Sequence, residues 1–318
     1  MPISINNLTF KYMQKTPLER EVLHDISLEV QNGEFVGLIG RTGSGKSTLI
    51  QHLNGLLKPT AGTVMVDGIN AAGKKLKELR KKVGLVFQFP EYQLFEETVF
   101  KDIAYGVSKL GLDEPEIGRR VRSAAEAVGI TERVLEQSPF ALSGGQKRRV
   151  AIAGVLVMEP EYLILDEPGS GLDPAGKREI LDFVARLHRE RRTTVILVSH
   201  NMEDIAAYVE RVLVLKDGQI AMDDAPSVVF TRIEELENAG LRPPELQRFA
   251  RLMRSLDPEF REDLMTVESV ADELEKWFGK SGLFSRRAKT GGAACEVSES
   301  MAEIGDSGYE VLESEAGL

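Results

Sequence analysis

Hydrophobic residues follow different patterns in different parts of the chain. In residues 4–9 and 23–30, apolar and polar side chains alternate, which predicts antiparallel strands with one face in solvent. Residues 34–39 and 162–165 are continuous apolar runs, and such runs are typical of strands buried on both faces. Most of residues 91–155 has helical spacing instead, as in Ile117, Val121, Ala124, Ala125 and Val128. These patterns together predict an α/β fold.

The last third of the chain differs from the part before it. We expect a core domain over residues 1–225, a helical domain over 226–279 and a disordered acidic tail over 280–318. The tail is rich in Gly, Ser and Ala, and from Glu296 onward it carries acids without a basic residue, a composition typical of disorder.

Two apolar stripes define the predicted helical domain. The first stripe consists of Leu246, Phe249, Leu252, Met253 and Leu256. The second consists of Val267, Val270, Ala271, Leu274, Trp277 and Phe278. Thr266 is suited to cap the second helix at its N-terminus. One interpretation of these stripes is a small helical cap that packs on its own core.

Composition excludes several classes of protein. With 318 residues the chain is long enough for a core and an appendage. No apolar stretch approaches the length of a membrane span, and no secretory signal pattern is present. The single cysteine, Cys295, excludes an intrachain disulfide and fits a reducing compartment. A net charge of −10 argues against general nucleic-acid binding.

A glycine-rich loop follows the first buried run and fits the phosphate-binding P-loop pattern. It consists of Gly40, Arg41, Thr42, Gly43, Ser44, Gly45, Lys46, Ser47 and Thr48. Its glycines let backbone N–H groups approach phosphate oxygens, and the positive end of the following helix faces the same phosphates. We expect Lys46 to contact the β- and γ-phosphates and Ser47 to hold Mg²⁺. A simple glycine-rich turn is the alternative, but the strand–loop–helix context disfavours it.

Two acids end the second buried run. Asp166 is expected to hold Mg²⁺, and Glu167 is placed to activate an attacking water. A carboxylate at the end of a parallel strand lies where such sheets bind ligands. The alternative is a solvated strand end without a catalytic role.

A third motif precedes the acidic strand and identifies a family. Leu142, Ser143, Gly144, Gly145 and Gln146 resemble the signature of ATP-binding-cassette (ABC) ATPases. Ser143 is also suited to cap the helix that follows. Further positions resemble family motifs in the expected order: Tyr12 the adenine-stacking aromatic, Gln88 the Q-loop, Asp173 the D-loop and His200 the H-loop. The similarity extends over about residues 3–225.

The resemblance implies a specific architecture and mechanism. It implies a P-loop core with an antiparallel β-subdomain, to which residues 63–66 also belong, and a helical signature subdomain. Tyr12 would stack on adenine, and Mg²⁺ would be held by Ser47, Gln88 and Asp166. His200 would orient the γ-phosphate and the attacking water. The signature of one subunit would close over the ATP of another, so a head-to-tail dimer is expected.

A narrower resemblance concerns the residues that follow the Q-loop and the signature. Residues 87–95 and 148–154 resemble the ATPase subunits of energy-coupling-factor (ECF) vitamin and metal importers, and more closely the second of their two ATPases. This implies a non-identical second ATPase, a transmembrane coupling subunit, a separate substrate-binding membrane subunit, and a peripheral position on the cytoplasmic side of the cell membrane. In that family the helical domain helps to hold the two ATPases together. Gly169 departs from the family pattern of Thr, and we expect it to loosen the turn beside Glu167 and change the rate.

Two surface segments have alternative interpretations. The aromatic residues Phe87, Phe89, Tyr92 and Phe95 either plug the core or line a groove for a partner helix. The basic segment 74–82 is either a solvated helix, which we favour, or a contact with anionic lipid headgroups.

Two other functions compete with a paired ECF ATPase. One is the homodimeric ATPase of a cobalt or nickel importer. The other is a soluble, non-transport ABC ATPase, but such proteins usually fuse two cassettes or insert a long coiled coil. This chain has one cassette and no sustained heptads.

Overall fold

The computed structural model describes residues 2–281. The predicted tail lies outside the described residues from position 282 onward. Residues 2–273 form one compact unit, and a second unit begins at Leu274. Within the described part of that second unit, the rings of Trp277 and Phe278 lie 5.1 Å apart.

The described part of the chain alternates strands and helices. The strands are β1 (Ile3–Tyr12), β2 (Arg20–Val30), β3 (Phe35–Ile39), β4 (Ala61–Val66), β5 (Ile69–Asn70), β6 (Val83–Val86), β7 (Tyr162–Asp166), β8 (Thr194–Val198), β9 (Arg211–Lys216) and β10 (Gln219–Asp224). The helices are α1 (Lys46–Leu53), α2 (Leu76–Lys82), α3 (Val99–Ala104), α4 (Glu114–Ala127), α5 (Glu132–Leu135), α6 (Gly144–Leu156), α7 (Pro174–Arg191), α8 (Met202–Tyr208), α9 (Pro226–Val229), α10 (Ile233–Asn238), α11 (Glu245–Leu256) and α12 (Val267–Ser281).

The strands form two sheets of different type. One has the order β10-β9-β3-β8-β7-β6, and all its neighbouring pairs are parallel except β10 with β9. The other is antiparallel, with the order β2-β1-β4-β5. The predicted α/β class is confirmed. The alternating segments form strands of the antiparallel sheet, and the continuous apolar runs form strands of the parallel sheet, as predicted. Strands β3, β7 and β8 are buried along their whole length because they lie in the interior of the parallel sheet.

The first part of the helical segment after β10 shares its core with the parallel sheet. Val229, Phe230 and Leu236 are fully buried in the same apolar cluster as Val212 and Val214 of β9. A separate helical domain over 226–279 therefore remains a proposal. Thr266 caps α12 as predicted, because its Oγ1 accepts a hydrogen bond of 3.1 Å from the Ser269 N–H.

The first predicted apolar stripe is only partly covered. Met253 of α11 is buried, but the side chains of Leu252 and Leu256 are 61% and 69% exposed. The inner face of α11 is formed instead by Ala250 and by Gln247, whose amide Nε2 donates a hydrogen bond to the Leu264 carbonyl. Among residues 2–281, no helix is long and apolar enough to cross a membrane.

Two of the six basic residues in segment 74–82, Arg80 and Lys82, contact other parts of the fold. Arg80 donates hydrogen bonds to the carbonyls of Asn54 and Gly55. Lys82 pairs with Asp67 and Glu161, at 2.5 and 2.8 Å. These internal contacts favour the interpretation of α2 as a solvated helix packed on the core.

Candidate functional site

The phosphate loop connects β3 to α1, as the sequence predicts. Gly45, directly before α1, has φ of +107°, and a Cβ there would approach Leu23 Cδ2 to 2.8 Å. Only glycine therefore fits this position without strain. The Lys46 Nζ donates hydrogen bonds to the carbonyls of Gly40 (2.6 Å) and Arg41 (3.0 Å). Burial lowers the pKa of this lysine, although the nearby Glu167 and Asp166 oppose the shift.

The end of β7 brings Asp166 to the start of α1. The Ser47 hydroxyl donates a hydrogen bond of 3.0 Å to Asp166 Oδ2. Asp166 is almost completely buried, and this burial raises its pKa, while the Ser47 hydrogen bond and Lys46 oppose the shift. A buried carboxylate held in this way does not fit the alternative of a solvated strand end.

Glu167 has an unusual backbone conformation. Its φ is +53°, a region that non-glycine residues rarely adopt. Its N–H donates to the Val198 carbonyl, at 3.0 Å, which ties the turn after β7 to β8. The carboxylate is mostly buried, and within the described part of the chain its Oε1 has no hydrogen-bond partner. Burial, reinforced by Asp166, raises the pKa of Glu167 to about 7.

His200 follows β8 and lies beside this carboxylate. Its Nε2 is 3.6 Å from Glu167 Oε1, which is too long for a direct hydrogen bond. Burial lowers the pKa of His200, so the neutral imidazole is favoured. The two side chains therefore lie close to one another in the cleft without a direct hydrogen bond.

These side chains line one cleft of about 310 Å³. It lies at the C-terminal ends of the parallel strands, where such sheets bind ligands. The lining residues are Tyr12, Arg20, Val22, Thr42, Gly43, Gly45, Lys46, Ser47, Thr48, Gln88, Asp166, Glu167 and His200. A larger depression of about 550 Å³ lies at the opposite ends of β7 and β8. Arg120 and Arg191, which line this depression, pair with Glu159. The P-loop residues line the smaller cleft instead.

The adenine-stacking position is at the edge of the cleft. The ring of Tyr12 is 39% exposed, packs edge-on against Phe10 at 4.7 Å, and has its hydroxyl 3.2 Å from Thr48 Oγ1. Arg20, which the sequence analysis missed, is the cross-strand partner of Tyr12. The pairing of β1 with β2 is the signal that could have identified it, since opposite residues of a pair share one face.

Some predicted residues lie in the loop but do not line the cleft. Gly40 packs so closely on the Leu215 carbonyl that a Cβ would collide with it. Ser44 is buried, and its carbonyl accepts a hydrogen bond from the Gly218 N–H. The Arg41 side chain packs against Gly240, beyond α10, where a Cβ would collide with its Cγ and Cδ.

The signature residues are at the surface. The Ser143 hydroxyl accepts a hydrogen bond from the Gln146 N–H (3.3 Å), and the Gln146 side chain accepts one from the Ser143 N–H (3.1 Å). This capping box starts α6, as predicted for Ser143. Ser143, Gly144 and Gln146 are exposed, and none of residues 143–146 is among the described residues that line the cleft.

Asp173, the predicted D-loop residue, has a local structural role. Its Oδ1 accepts hydrogen bonds from the Ala175 and Gly176 N–H groups, at 3.0 and 2.9 Å, and so caps α7. The bond from Gly176 is the main reason why the pKa of Asp173 is lowered. The carboxylate lies at the surface and outside the cleft of its own chain.

The aromatic residues near Gln88 divide into two groups. Phe87 packs against the core between the two sheets. Phe89, Tyr92 and Phe95 are instead 49%, 84% and 56% exposed. Phe95 also packs edge-on against the half-exposed Tyr105, at 4.8 Å. The exposed group forms an apolar surface on the loop that follows the cleft, in agreement with the groove interpretation.

The cleft has the donor set expected for a magnesium nucleotide. Ser47 and Asp166 provide a hydroxyl and a carboxylate in contact with one another, and Gln88 lines the same cleft. Oxygen ligands of this kind suit Mg²⁺ when it also binds substrate phosphates. The P-loop, the acid pair and the signature at the exposed start of α6, on this α/β core, define a P-loop ATPase of the ABC class.

Comparisons with known proteins agree with this class. A family model described as "ABC transporter" matches residues 23–170. The energy-coupling factor transporter ATP-binding protein EcfA2 of Acetivibrio thermocellus is 50% identical over 281 residues, covering 88% of this chain and 100% of that protein. EcfA2 of Clostridium tetani is 53% identical, covering 87% of this chain and 98% of that protein.

Solved structures give the same answer. The chain is similar to cbiO1 from Clostridium perfringens, described as part of the ABC transporter complex cbiONQ, with a TM-score of 0.66 and 37% identity over 79% of this chain and 98% of that one. The cassette MJ0796, solved as a post-hydrolysis dimer with ADP and Pi, matches with a TM-score of 0.66 and 29% identity, covering 70% of this chain and 98% of that one.

The chain belongs to the ABC transporter ATPases, in their energy-coupling-factor branch. It is an ATP-binding subunit of an ECF transporter and couples ATP hydrolysis to transport. It works in a complex with other subunits, through which it associates with the membrane.

Proposed function

We propose that this chain is paired with a second, non-identical ATPase and powers the uptake of a vitamin or transition-metal ion. The remaining partners are a transmembrane coupling subunit and a separate membrane subunit that binds the solute. The chain would lie on the cytoplasmic side of the cell membrane. Two relatives at 50% and 53% identity are both named EcfA2, which supports the role of one of a pair of ATPases.

The proposed roles of the cleft residues follow from their positions. Tyr12 stacks on adenine, and Lys46 exchanges its loop carbonyls for the β- and γ-phosphates. Ser47, Asp166 and Gln88 hold Mg²⁺, which neutralises phosphate charge when bound. Glu167 takes a proton from the attacking water, and His200 orients that water and the γ-phosphate.

The observation that carries this proposal is the environment of Glu167. Its carboxylate is buried in the cleft, has one oxygen without a hydrogen-bond partner in the described chain, and lies 3.6 Å from His200. A general base must be free to accept a proton within hydrogen-bond reach of the water that it activates. The positive φ of Glu167 directs the side chain away from the path of β7 and into the cleft.

The signature residues are proposed to act on the ATP of the second subunit. Ser143, Gly144 and Gln146 are exposed at the start of α6, and the N-terminus of a helix can bind a phosphate. Gly145 gives the helix start a small surface that allows close approach. Asp173 lies at the same subunit boundary in this proposal. The exposed Phe89, Tyr92 and Phe95 would contact a helix of the transmembrane subunit.

The substitution Glu167→Gln tests the proposed chemistry. In the complex purified with its partner subunits, turnover should fall by about 100-fold or more, because an amide cannot act as a general base. ATP binding should be retained, and the ATP-bound dimer should accumulate. Glu97→Gln, which removes an exposed ion pair with Lys101 of α3, is the matched control and should leave turnover unchanged. Near-normal hydrolysis by the Glu167→Gln complex would refute the assignment.

A further inference from the structure

Arg148 is a buried charge at the junction of three elements of the site. It lies in α6, shortly after the signature, and its side chain is almost completely inaccessible to solvent. Burial is the main influence on its pKa, which is lowered from the ordinary value for an arginine. Removing a guanidinium from water is costly, so a buried arginine needs well-placed acceptors.

Its acceptors are backbone carbonyls on two loops of the cleft. The Nη2 donates to the carbonyl of Gln88 at 2.5 Å and to that of Glu167 at 2.8 Å. The Nε donates to the carbonyl of Pro168 at 3.1 Å. One nitrogen therefore joins the loop after β6 directly to the residue that we assign as the general base.

Glu91 is a fourth neighbour of Arg148, and it lies in the loop whose exposed aromatic residues are proposed to contact the transmembrane subunit. The Nη1 is 3.9 Å from Glu91 Oε1, and Glu91 stands between the exposed Phe89 and Tyr92 in the chain. The Glu91 Oε2 is buried and has no hydrogen-bond partner among the described residues. Movement of the aromatic loop would therefore change the surroundings of Arg148.

The bond from Arg148 to the Glu167 carbonyl is made at a residue with an unusual backbone conformation. Glu167 has φ of +53°, which costs free energy unless surrounding groups hold it. Its N–H donates to the Val198 carbonyl, and its carbonyl accepts from Arg148 and from the Ser170 N–H, so both sides of the strained residue are held. Loss of the Arg148 bond would remove the side-chain part of this hold on Glu167.

We propose that Arg148 is a positioning residue for ATP hydrolysis, which ties the Gln88 loop to Glu167 and so makes the carboxylate position depend on that loop. This inference rests on the proposed role of Glu167. Arg148 does not line the cleft, so its effect on ATP passes through other residues. Because α6 also begins with the signature, one side chain links the signature helix, the partner-facing loop and the catalytic turn.

The substitution Arg148→Lys keeps the charge but loses the fixed fork of donors that reaches three carbonyls. In the purified complex, kcat should fall by about 10- to 100-fold, because small displacements of a catalytic group have effects of this size. The KM for ATP and the affinity for a non-hydrolysable ATP analogue should stay within about threefold, since the phosphate loop is untouched. Arg148→Gln should show the same separation of kcat from KM.

Arg211→Lys is the matched control. Arg211 is partly buried and also donates to a backbone carbonyl, that of Glu29, but it lies at the start of β9, at the opposite end of the sheet from the cleft. This variant should keep its kcat. An unchanged kcat in Arg148→Lys would overturn the proposal, as would a loss matched by an equal loss of analogue binding.

Failure of both Arg148 variants to fold, judged by thermal melting, would assign the residue a purely structural role and also overturn the proposal. Glu167→Gln is measured in the same preparation to separate the two hypotheses. If that variant turns over ATP normally, the proposed site is wrong. If it is inactive while Arg148→Lys is fully active, only the positioning role is wrong.

Discussion

The side chain of Lys177 occupies the space beside Gly169 that a larger residue would need. A Cβ built on Gly169 would collide with Cγ and Cδ of Lys177. Lys177 extends past this glycine and pairs with Asp204 of α8 at 2.9 Å. Gly169 does not have a positive φ, so its backbone does not require glycine. We expected Gly169 to loosen the turn. The structure shows instead that glycine leaves room at this position for the Lys177 side chain.

We predict that Gly169→Thr destabilises the protein. The new side chain would displace Lys177 from Asp204, and overpacking of this kind costs about 1–3 kcal/mol. Release of Asp204 would also leave its negative charge unpaired near Glu167, whose pKa it already raises. We expect a lower melting temperature in thermal unfolding and a lower rate of ATP hydrolysis.

The double variant Gly169→Thr with Lys177→Ala separates crowding from other effects. Removal of the Lys177 side chain clears the space that threonine needs, so much of the lost melting temperature should return. Equal melting temperatures for the parent and the Gly169→Thr variant would show that Lys177 moves aside at no cost.

We predict that Lys46→Ala weakens nucleotide binding rather than folding. In the described structure the Lys46 side chain bonds only to the carbonyls of Gly40 and Arg41, which lie in its own loop. The Lys46→Ala variant cannot make the charge-assisted contact with the ATP phosphates. Such a contact is worth about 1.5–3 kcal/mol, or roughly 10- to 100-fold in affinity. Fluorescence titration with ATP measures this, with Lys101→Ala on α3 as the control. Equal affinities would mean that the P-loop is only a structural turn.

We predict that the exposed face of α11 contributes to assembly. Leu252 and Leu256 are exposed, so replacing both with Asp should change the stability of this chain by only about 0.5 kcal/mol per site. If the second ATPase covers this face, the same change should weaken its binding by about tenfold or more. Co-purification of the second ATPase measures the effect. Full recovery of the partner by the double variant would place the subunit interface elsewhere.

Much of the fold could be predicted because it depends on local patterns. The phosphate loop between β3 and α1, the Ser143 cap and the Thr266 cap all follow from short stretches of sequence. The contact of Arg148 with Gln88 and Glu167 could not be predicted. Its acceptors are backbone carbonyls, which every residue has, so no sequence pattern marks them.

The exposed leucines of α11 show a second limit. Helical periodicity identified an apolar stripe, but it does not say which part of the stripe the same chain covers. Leu252 and Leu256 remain outside because Gln247 and Ala250 occupy the inner face. The packing of Arg41 on Gly240 is likewise a contact between distant segments with no local signal. The assigned roles of the cleft residues remain predictions.

The central claim is that ATP bound in this cleft is hydrolysed only when another subunit completes the site. Ser143, Gly144 and Gln146 are exposed and, within the described chain, none of residues 143–146 lines its own cleft. The γ-phosphate would therefore lack the signature contacts that stabilise the transition state in an isolated chain. The most direct measurement is the ATPase rate of the purified chain alone and after addition of the second ATPase subunit, with light scattering on the same samples. We predict a low rate for the monomer and a rise of about tenfold or more in the mixed dimer. A full rate in a sample that light scattering shows to be monomeric would contradict the account.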